Sequence, residues 1–418
     1  PAQRPRPAAT PRLEQYPQAV KTLEQASEML ANLELAPREI EALTNLGVVL
    51  ENAVQYDRAL TKFQGAMTLT KKSGAKDLLA RQYMSIGRIH DLRLSQYGQA
   101  RAAYGEALSL YTALGRKADM AQAMLDIGRT ARLMGNFAEA GDRYAQALGL
   151  VQGDKAQARL LDRIQLEQAN NAWQQARFQQ AFDLTRGVQK GAEQNGWVAD
   201  QVMARNTSGL LWWSLGDHDR ALRELEAALP LAKSLRIRQD EVATTLNNRG
   251  LVERDMGRHE KALKTLGEAL AIDRELRSRW AIAYDLRNIG QTFVQLGDSG
   301  KARASFVQAE ALARDMGLRD SLWRALHGQA RLDIAEGRRE QARALLDKAV
   351  ETIEGMRAEL KVDQLKDGFI ADKAVVYEDL VTLLADMGDS AEAFRVAERS
   401  RARNLIDLTI LKPAVRAI

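Results

Sequence analysis

Residues Thr244 to Ile272, TTLNNRGLVERDMGRHEKALKTLGEALAI, decide how the rest of the chain is read. Gly250 is followed by Gly257 at offset 7, Ala262 at offset 12 and Ala269 at offset 19. A ladder of small residues at this spacing predicts a helical hairpin whose two backbones approach closely at these places, where only Gly or Ala fits.

The ladder recurs along the chain every 40 or 41 residues, anchored at Gly47, Gly87, Gly128, Ala169, Gly209, Gly250, Gly290 and Ala330. Alanine stands twelve residues after the anchor at Ala59, Ala140, Ala181, Ala221, Ala262, Ala302 and Ala342, and the second repeat slips by one residue to Ala100. A ninth copy has its turn at Gly388 and its alanine at Ala393. Apolar residues recur at helical spacing and no run alternates with the strand period, so the residues themselves predict an all-α chain.

A repeated ladder of this kind resembles the tetratricopeptide repeat (TPR), whose usual repeat is about 34 residues. Each repeat here is longer, and the proline that usually closes it is missing. The resemblance implies a right-handed superhelical solenoid of antiparallel helix pairs. Residues 1–12 read as a proline-rich tail and 13–33 as an orphan or capping helix, with Pro17 in its first turn. Eight repeats fill 37–353, an extended helix and a ninth, terminal repeat occupy 354–411, and 412–418 form a tail leading toward a missing downstream segment. Pro230, inside a predicted second helix, should kink that helix or mark its early end.

Composition excludes more than it identifies. There are no cysteines, which removes disulfides, thiolate metal sites and a cysteine nucleophile together. No apolar run approaches the roughly 20 residues of a membrane span, and no secretory signal is visible. Cytoplasm is the expected compartment, and periplasm the alternative if a signal peptide preceded Pro1. The net charge of +5, from 60 basic and 55 acidic residues, is too balanced to argue for nucleic acid. His90, His218, His259 and His327 lie in four different repeats without a recurring ligand spacing, and the glycines are explained by packing rather than by a phosphate loop. We therefore expect neither cofactor, metal nor catalytic residue.

Near the end, Tyr377-Glu378-Asp379-Leu380, Ala393-Phe394 and Glu398-Arg399-Ser400-Arg401-Ala402-Arg403 resemble the last repeat before the protease domain of bacterial TPR-CHAT proteins. That family places a TPR array ahead of a caspase-like domain with a His and Cys dyad. The resemblance implies a regulatory or substrate-recruiting role, with a free-standing adaptor or peptide sensor as the alternative, and no catalytic residue carries over. Leu405, Ile406, Leu408 and Leu411 put apolar side chains on more than one face of the final helix, where a capping helix would be polar, so a downstream domain, a partner or a neighbouring copy should cover them.

In the TPR superhelix the first helix of each pair lines the concave wall. The exposed offsets there collect Arg88, Arg129, Arg132, Arg163, Arg254, Arg287 and Arg331, together with Arg81 and Arg324. Asn45, Asn170, Asn206, Asn247, Asn248 and Asn288 join them, and an amide row can hold an extended peptide backbone by donating and accepting at once. Trp173 and Trp213 share one offset in neighbouring repeats and would form an apolar floor between basic rims, with Trp212 assigned to the core. The expected partner is a protein or peptide, acidic where it meets the arginines. Nucleic acid along the arginine wall is the third and least expected partner, because no aromatic ladder is present to stack bases.

Overall fold

The computed structural model describes residues 16–33, 35–53, 55–94, 96–134, 136–175, 177–235, 239–358 and 373–400. Residues 1–12 and 412–418, and Leu405, Ile406, Leu408 and Leu411 of the expected apolar face, lie outside these.

Helix follows helix with short turns between. They are α1 (Tyr16–Asn32), α2 (Ala36–Asn52), α3 (Tyr56–Ser73), α4 (Lys76–Arg88), α5 (Tyr97–Ala113), α6 (Lys117–Leu133), α7 (Phe137–Val151), α8 (Ala158–Gln174) and α9 (Phe178–Asn195). Then come α10 (Val198–Ser214), α11 (His218–Ser234), α12 (Gln239–Asp255), α13 (His259–Glu275), α14 (Arg279–Gln295), α15 (Ser299–Asp315), α16 (Arg319–Ala335), α17 (Arg339–Ala358) and α18 (Ala374–Asp386). A further helix begins at 390 and is described to 400. Among the described residues there is no strand, and no helix is long and apolar enough to cross a membrane.

The chain divides into two compact units, one of residues 1–93 and 99–123, the other of 94–98 and 124–418. In the first, α1 packs on α2, α2 on α3 and α3 on α4. In the second, pairs such as α12 with α13 and α14 with α15 pack internally, and each second helix packs on the next first helix, as α13 does on α14. This is solenoid packing, in which each repeat buries its apolar face against its neighbours.

The anchor glycines do something other than let backbones touch. A Cβ on Gly250 would stand 2.6 Å from Cγ of Leu266, and one on Gly290 would stand 2.8 Å from the ring of Phe306. The same clash recurs at Gly47 with Phe63 and at Gly209 with Leu225. A bulky side chain near offset 16 of the second helix lies flat on the anchor, and all four are buried. The anchor is Ala169 in the fourth repeat, where Thr185 stands at that offset. Gly257 serves the turn instead, because its φ of 75° is left-handed and reverses the chain between α12 and α13. The offset-12 and offset-19 alanines do sit in the packing, with Ala262 and Ala269 fully buried.

The slip in the second repeat has a structural counterpart. Ile89–Arg93, directly after α4, is π-helical. A π turn adds one residue to a helix without lengthening the element it belongs to. Pro230 does not mark an early end, because α11 continues four residues past it to Ser234 and has 17 residues, as α5, α13 and α15 do. Turn chemistry completes the repeats: Asp217 and Asp298 accept from the backbone N–H of Arg220 and Lys301 at 2.9 and 3.0 Å, capping α11 and α15.

Candidate binding face

First helices of successive repeats touch one another in the second unit, α8 with α10, α10 with α12, α12 with α14 and α14 with α16. Second helices make no comparable contacts among the described residues. The first helices thus form a continuous face, and its side chains reach across from repeat to repeat.

The asparagines divide into two groups by burial, Asn45 in the first unit and the others on this face of the second. Asn45 is exposed and Asn170 half-buried, whereas Asn206, Asn247, Asn248 and Asn288 are buried. Asn206 donates to Thr245 Oγ1 at 3.0 Å, one repeat on. Asn288 Nδ2 donates to Asn247 Oδ1 at 3.1 Å, and Asn247 Nδ2 donates in turn to Asp285. These three amides tie first helix to first helix and give partners to N–H groups that would be costly to bury without one.

Both tryptophans bridge in the same way. Trp173 Nε1 donates to Ser214 Oγ at 2.8 Å and Trp213 Nε1 to Asp255 Oδ2 at 2.8 Å. Each is half-buried and packs on the core beneath it, Trp173 near Ala169 and Leu211, Trp213 near Leu225 and Val252. Trp212 is half-buried too, with its ring 4.4 Å from that of Phe182 and the Arg220 guanidinium 4.6 Å from its centroid.

Most of the arginines are matched by carboxylates. In the first unit Arg88 lies 2.8 Å from Glu51. In the second, Arg132 lies 2.9 Å from Glu167, Arg129 3.4 Å from Asp126 and Arg254 2.7 Å from Asp255. Arg331, exposed, reaches Asp379 only at 3.9 Å, and Arg163 is also exposed. Arg132 is only 10% exposed; burial pulls its proton affinity down, but Glu167 and Tyr144 outweigh that and hold it above the ordinary value. Arg287 is an exception. Its Nη2 and Nε donate to Asn288 Oδ1 at 3.0 and 3.3 Å, it lies 4.2 Å from the Tyr284 ring centroid, and no carboxylate among the described residues forms an ion pair with it.

Sequence reasoning missed the acids behind this face. Asp285 is 1% exposed, and burial followed by the nearby Asp273 charge raises its proton affinity far above that of an ordinary carboxyl. Asp273 is raised as well, by burial first. Asp162, pushed up to about 6 by burial and by Asp200, is a second such place. A third missed contact joins the eighth and ninth repeats, where His327 Nε2 lies 2.7 Å from Asp379 Oδ2 and the Tyr377 hydroxyl donates to Glu354 at 2.7 Å. No shared offset signals them, since Asp162, Asp285 and His327 stand 7, 5 and 3 residues before their anchors and the partner comes from the neighbouring repeat.

Tetratricopeptide repeat family models match residues 89–157, 200–275 and 241–315. No curated protein matches the chain. Among solved structures, it is similar to a Rap conjugation gene regulator of the plasmid pLS20 in complex with the Phr* peptide, at 14% identity over 84% of this chain and 98% of that one, with a TM-score of 0.59. It is also similar to a Rap protein complexed with Competence and Sporulation Factor, at 14% identity over 82% and 99% of the two chains, with a TM-score of 0.55. A third likeness is to a signal transduction ATPase with a tetratricopeptide repeat sensor from Pyrococcus horikoshii, at 14% identity over 90% and 54% of the two chains, with a TM-score of 0.50. At these identities the likeness is one of fold. The chain is an all-α solenoid built from tetratricopeptide-type repeats.

Proposed function

We propose that the first-helix face of the second unit binds an extended protein or peptide segment, and that the chain serves as the regulatory or substrate-recruiting region of a CHAT-type caspase-like protease. The observation that carries the binding reading is the continuous run of first helices from α8 to α16, which presents amides and guanidinium groups on one surface. Two of the fold neighbours are described in complex with a peptide or factor, which adds support. Within the second unit the ligand-facing set narrows to Arg163, Asn170, Trp173, Trp213, Arg287 and Arg331, because Arg129, Arg132 and Arg254 are mostly buried against carboxylates. Asn206, Asn247 and Asn288 act behind it as the frame that sets their spacing.

The protease link rests on Tyr377 to Leu380 and Glu398 to Arg403, with Leu405, Ile406, Leu408 and Leu411 as the surface that meets the protease domain. A free-standing adaptor is the second reading. It is favoured by the use of Tyr377 and Asp379 in packing the ninth repeat on the eighth, which a solenoid requires with or without a protease.

A fluorescence-polarisation screen of labelled acidic and neutral peptides against the whole chain tests the binding reading, with competition by an unlabelled copy. Saturable binding weakened by Trp173→Ala without loss of helicity is expected. If no peptide saturates, or if those that bind are indifferent to changes at Trp173, Trp213 and Arg163, the reading fails. Adding the chain to a separately produced CHAT domain and following cleavage of a fluorogenic peptide tests the protease link. An altered rate that is abolished by Leu405→Glu with Leu408→Glu is expected, and an unchanged rate leaves the adaptor reading.

A further inference from the structure

Second helices carry a ladder on the side that meets their own first helix: an alanine, a bulky residue four positions on, and an alanine three positions after that. In α13 these are Ala262, Leu266 and Ala269, in α15 Ala302, Phe306 and Ala309, and all six are buried. Helix α1 carries the same ladder as Ala19, Leu23 and Ala26. There all three are only half-buried. The adjoining side of α1 is covered as in the repeats, since α1 packs on α2 and Val20 and Ser27 are buried. Among the described residues α1 packs broadly on α2 alone, so the face that would clasp a first helix is open. The sequence of residues 1–12, with prolines at 5, 7 and 11, does not supply that helix.

The open face is apolar from end to end. Tyr16, Ala19, Leu23, Ala26, Leu30 and Leu33 follow one another at spacings of three and four, which keeps them on one stripe of the helix. Leu33 is 63% exposed, and Met29 at the margin of the stripe is 64% exposed. The charged residues Lys21, Glu24 and Glu28 stand on the opposite side, and Glu24 lies 2.7 Å from Arg58 of α3. A second helix can therefore cover the stripe without burying a charge.

The stripe is also complementary to itself. In an antiparallel pair whose two-fold axis passes between Glu24 and Gln25, Ala19 opposes Leu30 of the other copy and Leu23 opposes Ala26. Each of these layers joins one small and one large residue, so the two helices keep a uniform separation. Tyr16 opposes Leu33 at the two ends. A parallel pair would set Ala19 on Ala19 and Leu23 on Leu23, leaving a void beside a crowded layer.

We propose that α1 is a homodimerisation element: two copies of this chain pair through antiparallel α1 helices, each filling the place of the first helix that the other lacks. The pairing is independent of the peptide-binding reading, because it uses no residue of the second unit. A single pair of 17-residue helices buries less surface than a standard protein interface. The dimer should accordingly dissociate in the micromolar range.

The test has two arms on the full chain. In the first, sedimentation over a wide range of concentration should show a monomer–dimer equilibrium. Leu23→Glu should raise the dissociation constant about tenfold or more, with helicity by circular dichroism unchanged. The second arm reads the register, and the absence of native cysteine makes it direct. Chains carrying Ala19→Cys and Leu30→Cys, mixed and oxidised, should give a disulfide-linked heterodimer. Ala19→Cys alone should not link to itself, because the two copies of that position lie about 16 Å apart along an antiparallel pair, beyond the reach of a disulfide. A monomer at every concentration, a dimer that survives Leu23→Glu, no mixed disulfide, or self-linked Ala19→Cys overturns the proposal. So does a dimer lost in Leu405→Glu with Leu408→Glu, which would place the contact at the other end of the chain. If Leu23→Glu does not fold, the cysteine pair decides.

Discussion

Trp213 donates its indole N–H to Asp255 at 2.8 Å, one repeat away, and Trp173 makes the same reach to Ser214. One offset thus carries the same bridge twice, with a charged acceptor in one copy and a neutral one in the other. Trp213→Phe keeps the packing and removes the bond, and should cost about 1 kcal/mol. Trp173→Phe should cost less, because a hydroxyl is the weaker acceptor. Trp213→Ala, which also removes partly buried area, should cost about 2 kcal/mol. Chemical denaturation of the four single variants, Trp173→Ala included, checks the order; equal costs for the two Phe variants would show that the indole bonds contribute nothing in solution.

Gly290 has a buried ring against it that cannot retreat. Phe306 is wedged between Gly290 and Gly328, at 2.8 and 2.7 Å from the positions their Cβ atoms would take. Gly290→Ala should therefore destabilise by about 3 kcal/mol, the upper end for overpacking, despite the better helix propensity of alanine. Gly250→Ala, facing the branched and more yielding Leu266, should lose less. Gly267, exposed on α13 with nothing near its Cβ position, is the control, and Gly267→Ala should stabilise by up to about 1 kcal/mol. Thermal melts rank the three, and a stabilised Gly290→Ala would refute the ring-on-glycine account.

Arg132 and Glu167 form a buried pair, at 2.9 Å with 10% and 21% exposure, so Arg132 belongs to the frame rather than the rim. Arg132→Glu sets two acids together and should cost about 3–5 kcal/mol. The exchange Arg132→Glu with Glu167→Arg should recover part of that. Arg163→Glu, at an exposed position, should leave stability nearly unchanged. If Arg132→Glu unfolds at the wild-type denaturant concentration, the pair is not formed in solution.

Asp273 and Asp285 make stability depend on pH. Both bind protons more tightly when folded than the ordinary carboxyl value of 3.8. The folded chain therefore holds protons that the unfolded chain has released. The stabilisation is fully present below the unfolded value and is lost as pH rises through the folded values. Asp162, raised to about 6, adds to the same slope. Stability should fall from about pH 5 to about pH 8, and Asp285→Asn, which cannot ionise, should flatten the fall. A wild-type curve that rises over this range would contradict the assignment.

The fold was legible because its determinant is local and repeated. Gly250 to Ala269 states one hairpin, and eight further copies remove the ambiguity that a single short pattern leaves. The cause at each position was less legible: a glycine allows close approach, but only the structure shows that Leu266 or Phe306 does the approaching. The face was legible and its assignments were not. An offset says that Asn247 or Trp213 points toward the first-helix surface, where both a ligand and the next repeat compete for it. Asp285 and Thr245, one repeat on, decide in favour of the repeat for Asn247 and Asn206, and Asp255 adds a bridge at Trp213. Arg287 stands out because an amide and a ring, rather than a carboxylate, hold it in place.

The π segment Ile89–Arg93 shows how this chain tolerates a frameshift. An added residue inside an α-helix would rotate every later side chain by about 100°, exposing core and burying surface. Here the surplus is absorbed within five residues. Beyond it Ala100 and Tyr104 are buried as their counterparts are, each one position later than the ladder requires. Single-residue insertions can thus enter a first helix and be contained there, so repeats of unequal length evolve side by side without any change to the hairpins that follow.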